Sequence, residues 1–537
     1  MNALLVLFGG QLTSEAFQPL HNGKNSVSLA LGQSQSFPGV EKTVLFGASN
    51  ANFQDFSGIQ VEKRDSWTKR PLLEKLAELS AGFDLTYFAW LDCPFLDPVL
   101  AGAIAQRHIQ YAAEYSYADG WPYGLAPEII SPQTAGILAK ILSEDGPVTR
   151  DALFSVIQKD INAFDIETEI SPVDFRQHRI SLSSDSKRNF LLLERFIAAG
   201  KGTIPAAADV QRIISESPGV LRTLPNFFPI QVFSGCPQSC SLCPYPAASQ
   251  AAGPVTGRRD YMKAGLFESL LNKIINFAND AVIDLSLWGE FSLHPEKMEI
   301  ISMVLSRPEL ALVIETSGIG WKPEELEKSA ELSRGAFTGR KSPLPPLSWI
   351  VSLDAADPGR YREIRGQGFS EAAGCAKKLF SLFPQNAYVQ AVRTLNSEDD
   401  IEKFYRSWKE AAPFGDANII IQKYDDFCGF LEKKQASDIS PVIRQPCWHI
   451  MRDMPVLIDG TALLCREELG ALKAGNAESG CAGCAGYAGK NNRVLGNVFS
   501  DTLAHIWEKG MPFYTEHCEK KYTGLCADCD EYYTYNF

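Results

Sequence analysis

The feature that most constrains this 537-residue chain is a recurring short apolar run that stops at Gly, Asp or Glu. MNALLVLFGG, EKTVLFGAS and LTYFAWLDCPF carry it in the first 205 residues, with helix-like stretches such as KRPLLEKLAEL between them and FLLLERFIAAG near the end. After residue 225 it returns as PIQVFSG, VIDLSLWGE, LALVIETSG, LSWIVSLDA, AYVQAVRT and ANIIIQKY. Strands that alternate with helices form parallel sheets covered on both faces. The expected fold class is therefore α/β: a doubly wound domain over 1–205, an irregular linker over 206–225, and an open six-unit β/α barrel over 226–440. A cysteine-rich domain over 441–537 completes the chain. Functional groups of such barrels gather at the C-terminal ends of the strands.

Composition excludes some classes. Hydrophobic residues at 45% and charged residues at 21% suit a globular chain with a real core. A net charge of −13 argues against a nucleic-acid partner. No apolar run reaches the ~20 residues of a membrane span, and the opening MNALLVLFGG lacks a basic flank and cleavage site, so it reads as a strand. A cytoplasmic location is expected.

The 13 cysteines then point to metal or redox chemistry rather than a disulfide framework. Residues 234–246 read SGCPQSCSLCPYP, placing Cys236, Cys240 and Cys243 directly after the first barrel run. Four thiolates would close a zinc or iron–sulfur site, whereas three leave one iron of a four-iron cluster open for a small molecule. Cys93, Cys375 and Cys428 stand apart from the clusters. For Cys375 and Cys428 the plain reading is a small buried hydrophobe.

The C-x3-C-x2-C run resembles the radical S-adenosylmethionine (SAM) superfamily. That resemblance implies a [4Fe-4S] cluster on the three cysteines and SAM held at its open iron. It further implies reductive cleavage to a 5′-deoxyadenosyl radical and abstraction of a substrate hydrogen. LSLWGEFSLHPE resembles the family's Gly-Gly-Glu run, with Trp288 in place of the first glycine, and implies SAM contact at Trp288, Gly289 and Glu290. ETSG resembles the run ending the third strand and implies Thr316. WIVSLDAADPGRYREIRG resembles the fourth-strand pattern and implies Ser352, Asp354 and Arg365, although Asp354 has a second reading as a helix cap. Leu242 stands where the family often has an aromatic, and Gln390 and Arg393 are further candidates for ribose or substrate.

Cys447 and Cys465 are spaced C-x12-G-x4-C around Asp459-Gly460, a hairpin signal, and Cys526 and Cys529 follow near the end. With LGNVFSDTLAHIWEKG, this layout resembles the SPASM and twitch extensions. It implies one auxiliary [4Fe-4S] cluster on Cys447, Cys465, Cys526 and Cys529. Cys481, Cys484 and Cys518 leave a second cluster, or zinc at one of the sites, as alternatives.

LDCPFLDP, GWPYGLAPEIIS (Gly124, Leu125, Glu128), PLHNGKNSV (Gly23-Lys24) and HRISLSSDSKRNFLLLERF resemble cytidylyltransferase-like nucleotidyltransferases. Asp92 is the implied magnesium residue. The loop after the first strand, GGQLTSEAFQPL, departs from that family: it holds Glu15 and no arginine to grip a triphosphate.

The three-part order resembles the spirochaete spiro-SPASM group. The leading expectation is a radical SAM enzyme acting on a sugar- or nucleotide-linked molecule or a peptide, with auxiliary-cluster electron transfer and a flavodoxin or ferredoxin reductant. The alternatives are a nucleotidyltransferase or nucleotide-sugar binder with redox-sensing clusters, and a non-catalytic binding module.

Overall fold

The computed structural model describes residues 1–49, 58–245, 260–336, 344–395, 397–437, 440–468 and 493–533. It divides into two compact units, Met1–Thr223 and Leu224–Phe537.

The first unit is built on a seven-stranded sheet. Ala3–Gly9 lies inside the sheet between Val40–Ala48 and Leu85–Trp90, parallel to both. Every residue of this interior strand from Ala3 to Phe8 is fully buried, as expected for a strand covered on both faces. Chain order reverses at this strand, so its C-terminal end opens a crevice where α/β folds bind ligands. One departure from the expected parallel sheet is Glu128–Ile130, which runs antiparallel to Leu85–Trp90. The stretch 206–225, expected to be irregular, forms helix Val210–Glu216 between two 3-10 turns. Ala207, Val210, Ile213 and Val220 bury there in the first unit's core, because apolar residues at helical spacing find a face to cover.

The second unit holds six parallel strands in sequential order: Phe227–Pro229, Ala281–Asp284, Leu310–Thr316, Leu347–Ser352, Ala387–Arg393 and Ile419–Lys423. The first and last are not paired, so the barrel is open, as the sequence leads one to expect. Side chains alternate along each strand. Leu310, Leu312 and Ile314 pack outward under helices, while Ala311 and Val313 join Val282 and Ile350 inside. Towards the C-terminal ends the inward positions turn polar: Asp284, Glu315, Ser352 and Gln390. The first strand is shorter than its apolar run. Past Pro229 the backbone makes single bridges, Ile230 to Val456 and Phe233 to Tyr261, so residues 230–233 already lead into the cysteine loop.

Residues 441–468 and 493–533 share this unit's core, through Ile450, Val456, Leu464, Ile506 and Trp507. The turn at Asp459-Gly460 is present, with Gly460 at φ +86° and the Leu457 amide donating to Thr461 O at 2.8 Å. Across the turn Ala462 bridges antiparallel to Val456, and strand Thr461–Leu463 also pairs with the distant Val494–Asn497. Among the described residues no helix is long and apolar enough to cross a membrane.

Candidate functional site

Cys236, Cys240 and Cys243 sit at the rim of a cavity of about 340 Å³ at the C-terminal ends of the barrel strands. All three are free thiols. Burial pushes the Cys243 thiol up to about 12, so it stays protonated near neutral pH unless a metal draws the proton off, whereas Cys236 is exposed. Cys240 donates to Gln238 Oε1 at 3.7 Å. Three thiols on one short loop, with no fourth among the residues lining this cavity, match the donor set of an iron–sulfur cluster with an open iron.

The loop after the second strand approaches them through glycine. Gly289 has φ +136°, and a Cβ there would lie 2.1 Å from Phe233 O. Trp288 takes φ +44°, a conformation that favours glycine. The Glu290 amide donates to Gly235 O at 2.8 Å. The Glu290 carboxylate accepts from Thr316 Oγ1 at 2.6 Å and from the Ser317 amide at 2.7 Å, tying the second strand's loop to the third strand. Asp354 does not cap a helix; Asp357 does, for Pro358–Arg365. Asp354 instead accepts from the Val392 amide at 2.7 Å and pairs with Arg365. Arg365 also donates to Gln238 Oε1 at 3.1 Å, which links the fourth-strand motif to the cysteine loop. Leu242, Thr316, Ser352 and Gln390 line the same cavity, whereas Arg393 turns to Glu398 at 2.7 Å.

Several cavity residues escaped sequence reasoning. Glu315 is a hub, accepting from Ser352 Oγ at 2.7 Å and Gln390 Nε2 at 2.8 Å. Asp284 ends the second strand facing inward, and the C-terminal segment contributes His449, Arg452, Asp453 and Arg466. The period-2 pattern could have flagged Asp284 and Glu315, as acids on otherwise apolar inward rows.

A second pocket gathers Cys447, Cys465, Cys526 and Cys529 with Cys428. The plain core reading holds for Cys375, which packs in the outer core. Cys428 is likewise buried in an apolar cluster, but it also lines the second pocket beside Cys529, which raises its own titration and lowers that of Cys529. Arg493 donates to Cys526 Sγ at 3.1 Å and the Glu531 amide to Cys529 Sγ at 3.3 Å. These donors suit thiolates held on a cluster. Cys518 does not line this pocket, and Cys481 and Cys484 lie outside the described residues. One apolar cluster contains Cys243 from the first site and Cys428 and Cys529 from the second, joined by Tyr245, Trp288 and Phe427.

In the first unit the crevice does not fit a metal at Asp92. Arg150 spans both Asp92 oxygens, at 2.8 and 2.5 Å, and reaches Asp185 at 3.0 Å. Its guanidinium lies 4.1 Å from the Trp90 ring centroid. A resident cation thus fills the place a magnesium ion would take. Gly124 is required as glycine, since a Cβ would meet Leu182 O at 2.5 Å. Gly23 makes the turn of a small hairpin ending at Lys24, Leu125 is core, and Glu15 is buried. Glu128 is half-buried, and the Tyr115 hydroxyl donates to it.

No family model matches the chain. An uncharacterized protein of Treponema pallidum is 33% identical over 392 residues, covering 72% of this chain and 98% of that protein. A second uncharacterized protein of the same organism is 34% identical over 68 residues, 13% of this chain and 31% of that one. Among solved structures, a cytidylyltransferase from Leptospira borgpetersenii has a TM-score of 0.35 at 15% identity, with coverage of 41% of this chain and 95% of that one. BtrN in complex with AdoMet and 2-DOIA has a TM-score of 0.33 at 16% identity, over 57% and 93%. SuiB of Streptococcus suis bound to precursor peptide SuiA has a TM-score of 0.39 at 12% identity, over 74% and 85%. The six parallel strands in sequential order, with the three-cysteine loop after the first, form an open β/α barrel. The chain belongs to one family with the Treponema pallidum protein that it matches over 98% of that protein's length.

Proposed function

We propose that the second unit is a radical SAM enzyme. The observation that carries this reading is the convergence of Cys236, Cys240 and Cys243 with Gly289 and Arg365 on one cavity at the strand ends. A bound cluster with SAM would supply a 5′-deoxyadenosyl radical to the cavity. The chain's part is to hold and shield. The cysteine loop carries the cluster, and Gly289 lets backbone come close without a side chain. Ser352 and Arg365 stand on the same wall as hydrogen-bond donors, Arg365 oriented by Asp354 and Gln238.

The pocket of Cys447, Cys465, Cys526 and Cys529 would hold at least one auxiliary [4Fe-4S] cluster, with the cavity's substrate as electron source and a flavodoxin- or ferredoxin-like protein as reductant of the first site. The shared apolar cluster between the two cysteine groups supports such coupling. The transferase reading loses support because Arg150 occupies the Asp92 carboxylate. We assign the first unit a binding or scaffolding role.

The test is anaerobic reconstitution, counting of iron and sulfide, and assay for 5′-deoxyadenosine after adding SAM and dithionite. Formation of deoxyadenosine that disappears in Cys240→Ala is expected. A fully loaded protein that binds no SAM would sink the reading.

A further inference from the structure

The cavity contains a carboxyl group with no ion-pair partner among the described residues. Asp284 ends the second barrel strand, is 6% exposed, and faces the cavity. Among the described residues its one side-chain hydrogen bond comes from Ser286 Oγ at 2.6 Å. Its neighbours in the cavity wall are otherwise committed. Glu315 is satisfied by Ser352 and Gln390, and Asp453 is held by His449 and Arg452, each at 2.5 Å.

The cations of the wall are committed as well. Lys423 pairs with Asp530 at 3.0 Å and Glu531 at 2.8 Å. Arg466 pairs with Asp425 at 3.1 Å and Glu467 at 3.2 Å. Arg365 pairs with Asp354, and Arg452 with Asp453. Phosphate and carboxylate groups are recognised by open arginine forks or lysines. A buried carboxyl with one partner, by contrast, is relieved by a donor from the ligand.

We propose that Asp284 receives a hydroxyl or amino group of the substrate, so that the cavity selects a neutral or cationic polar substrate over an anionic one. This rests on the cavity being the substrate site of the radical SAM reading. It separates the candidate substrates: amino or hydroxyl groups of a sugar or peptide fit, and a phosphate-bearing moiety does not.

Burial pushes the Asp284 carboxyl up to about 7, reinforced by Glu315 on the third strand and Asp453 on the C-terminal segment, and opposed by Ser286 and by Arg466. The preference for an amine therefore exists where Asp284 is ionised, above that value, and is lost below it.

The test uses the reconstituted full chain with SAM bound and three size-matched probes in calorimetry: glucamine (amine), sorbitol (neutral) and gluconate (anion). At about pH 8 glucamine is expected to bind roughly tenfold tighter than sorbitol, and gluconate weakest. At about pH 6 the amine advantage disappears. Asp284→Asn abolishes it at about pH 8 as well, with SAM binding as the folding control. Ser286→Ala, which removes the one hydrogen bond favouring the ionised form, moves its onset to higher pH. Gluconate binding tightest, an amine advantage that survives in Asp284→Asn, or no probe binding at millimolar concentration while SAM binds would each overturn the proposal. Absence of SAM binding alongside an intact probe order would instead sink the radical SAM reading and leave the Asp284 assignment standing.

Discussion

Cys428 stands beside Cys529 in the second cysteine pocket, and their proximity raises the titration of Cys428 and lowers that of Cys529. Five thiols thus surround a site for which four suffice. With Cys447, Cys465, Cys526 and Cys529 as ligands, Cys428 is a donor to a ligand sulfur, and such donors raise a cluster's reduction potential. Cys428→Ala should keep the full iron content and lower the auxiliary potential in an EPR-monitored redox titration. Cys465→Ala should lose about four irons per chain. Loss of about four irons in Cys428→Ala would make Cys428 a ligand instead.

Arg150 is the internal counter-ion of Asp92 and Asp185. Arg150→Met leaves two carboxylates without their cation, a loss of roughly 3–5 kcal/mol for a buried pair. We expect a lower melting temperature for the variant and partial recovery with added Mn²⁺, detected also as bound Mn²⁺ by EPR. Wild-type chain should bind no Mn²⁺ at this crevice. Equal binding by both proteins would refute the counter-ion role.

Gly289 cannot carry a side chain without moving the cysteine loop, because the added Cβ would overlap Phe233 O at 2.1 Å. Backbone strain of this kind costs about 1–3 kcal/mol. Gly289→Ala should retain the fold by circular dichroism and lose both iron in the first site and SAM affinity. Unchanged SAM affinity would show that the close approach is dispensable.

Glu128 gives the first unit a pH-dependent stability. Burial pushes its carboxyl up to about 7, while its hydrogen bond from Tyr115 opposes the rise. The folded state therefore keeps a proton that the unfolded chain releases near pH ~4.5. Stability is complete below that pH and falls as pH rises towards about 7, by roughly 1.4 kcal/mol per unit of difference. Glu128→Gln keeps an acceptor for Tyr115 without the charge. It should raise the melting temperature at about pH 8 and leave it unchanged at about pH 4. A variant no more stable at about pH 8 would contradict this.

Local patterns announced much of the second unit. Apolar runs located its six strands, because burial on two faces demands unbroken hydrophobicity. Close spacing placed Cys236, Cys240 and Cys243 together, since three residues on one short loop have few ways to separate. The Gly289 requirement was likewise visible as a Gly-Glu strand ending. The Asp459-Gly460 turn formed as read, with Ala462 bridged back to Val456, while the second pairing, with Val494–Asn497, was decided by the sheet rather than the turn.

By itself, then, the sequence determined the α/β class, the order of the strands along the chain and the closeness of Cys236, Cys240 and Cys243. Those are local properties, set by side-chain period and loop length. Only the tertiary structure brought Cys428 to Cys529, Arg150 to Asp92 and the Asp453 carboxylate to the wall that holds Asp284. Arg150 and Asp92 are 58 residues apart, and their meeting depends on how helices and loops pack over a sheet. No local periodicity encodes such contacts. They follow from burial, which forces each desolvated charge or thiol to find a partner among whatever the fold places beside it.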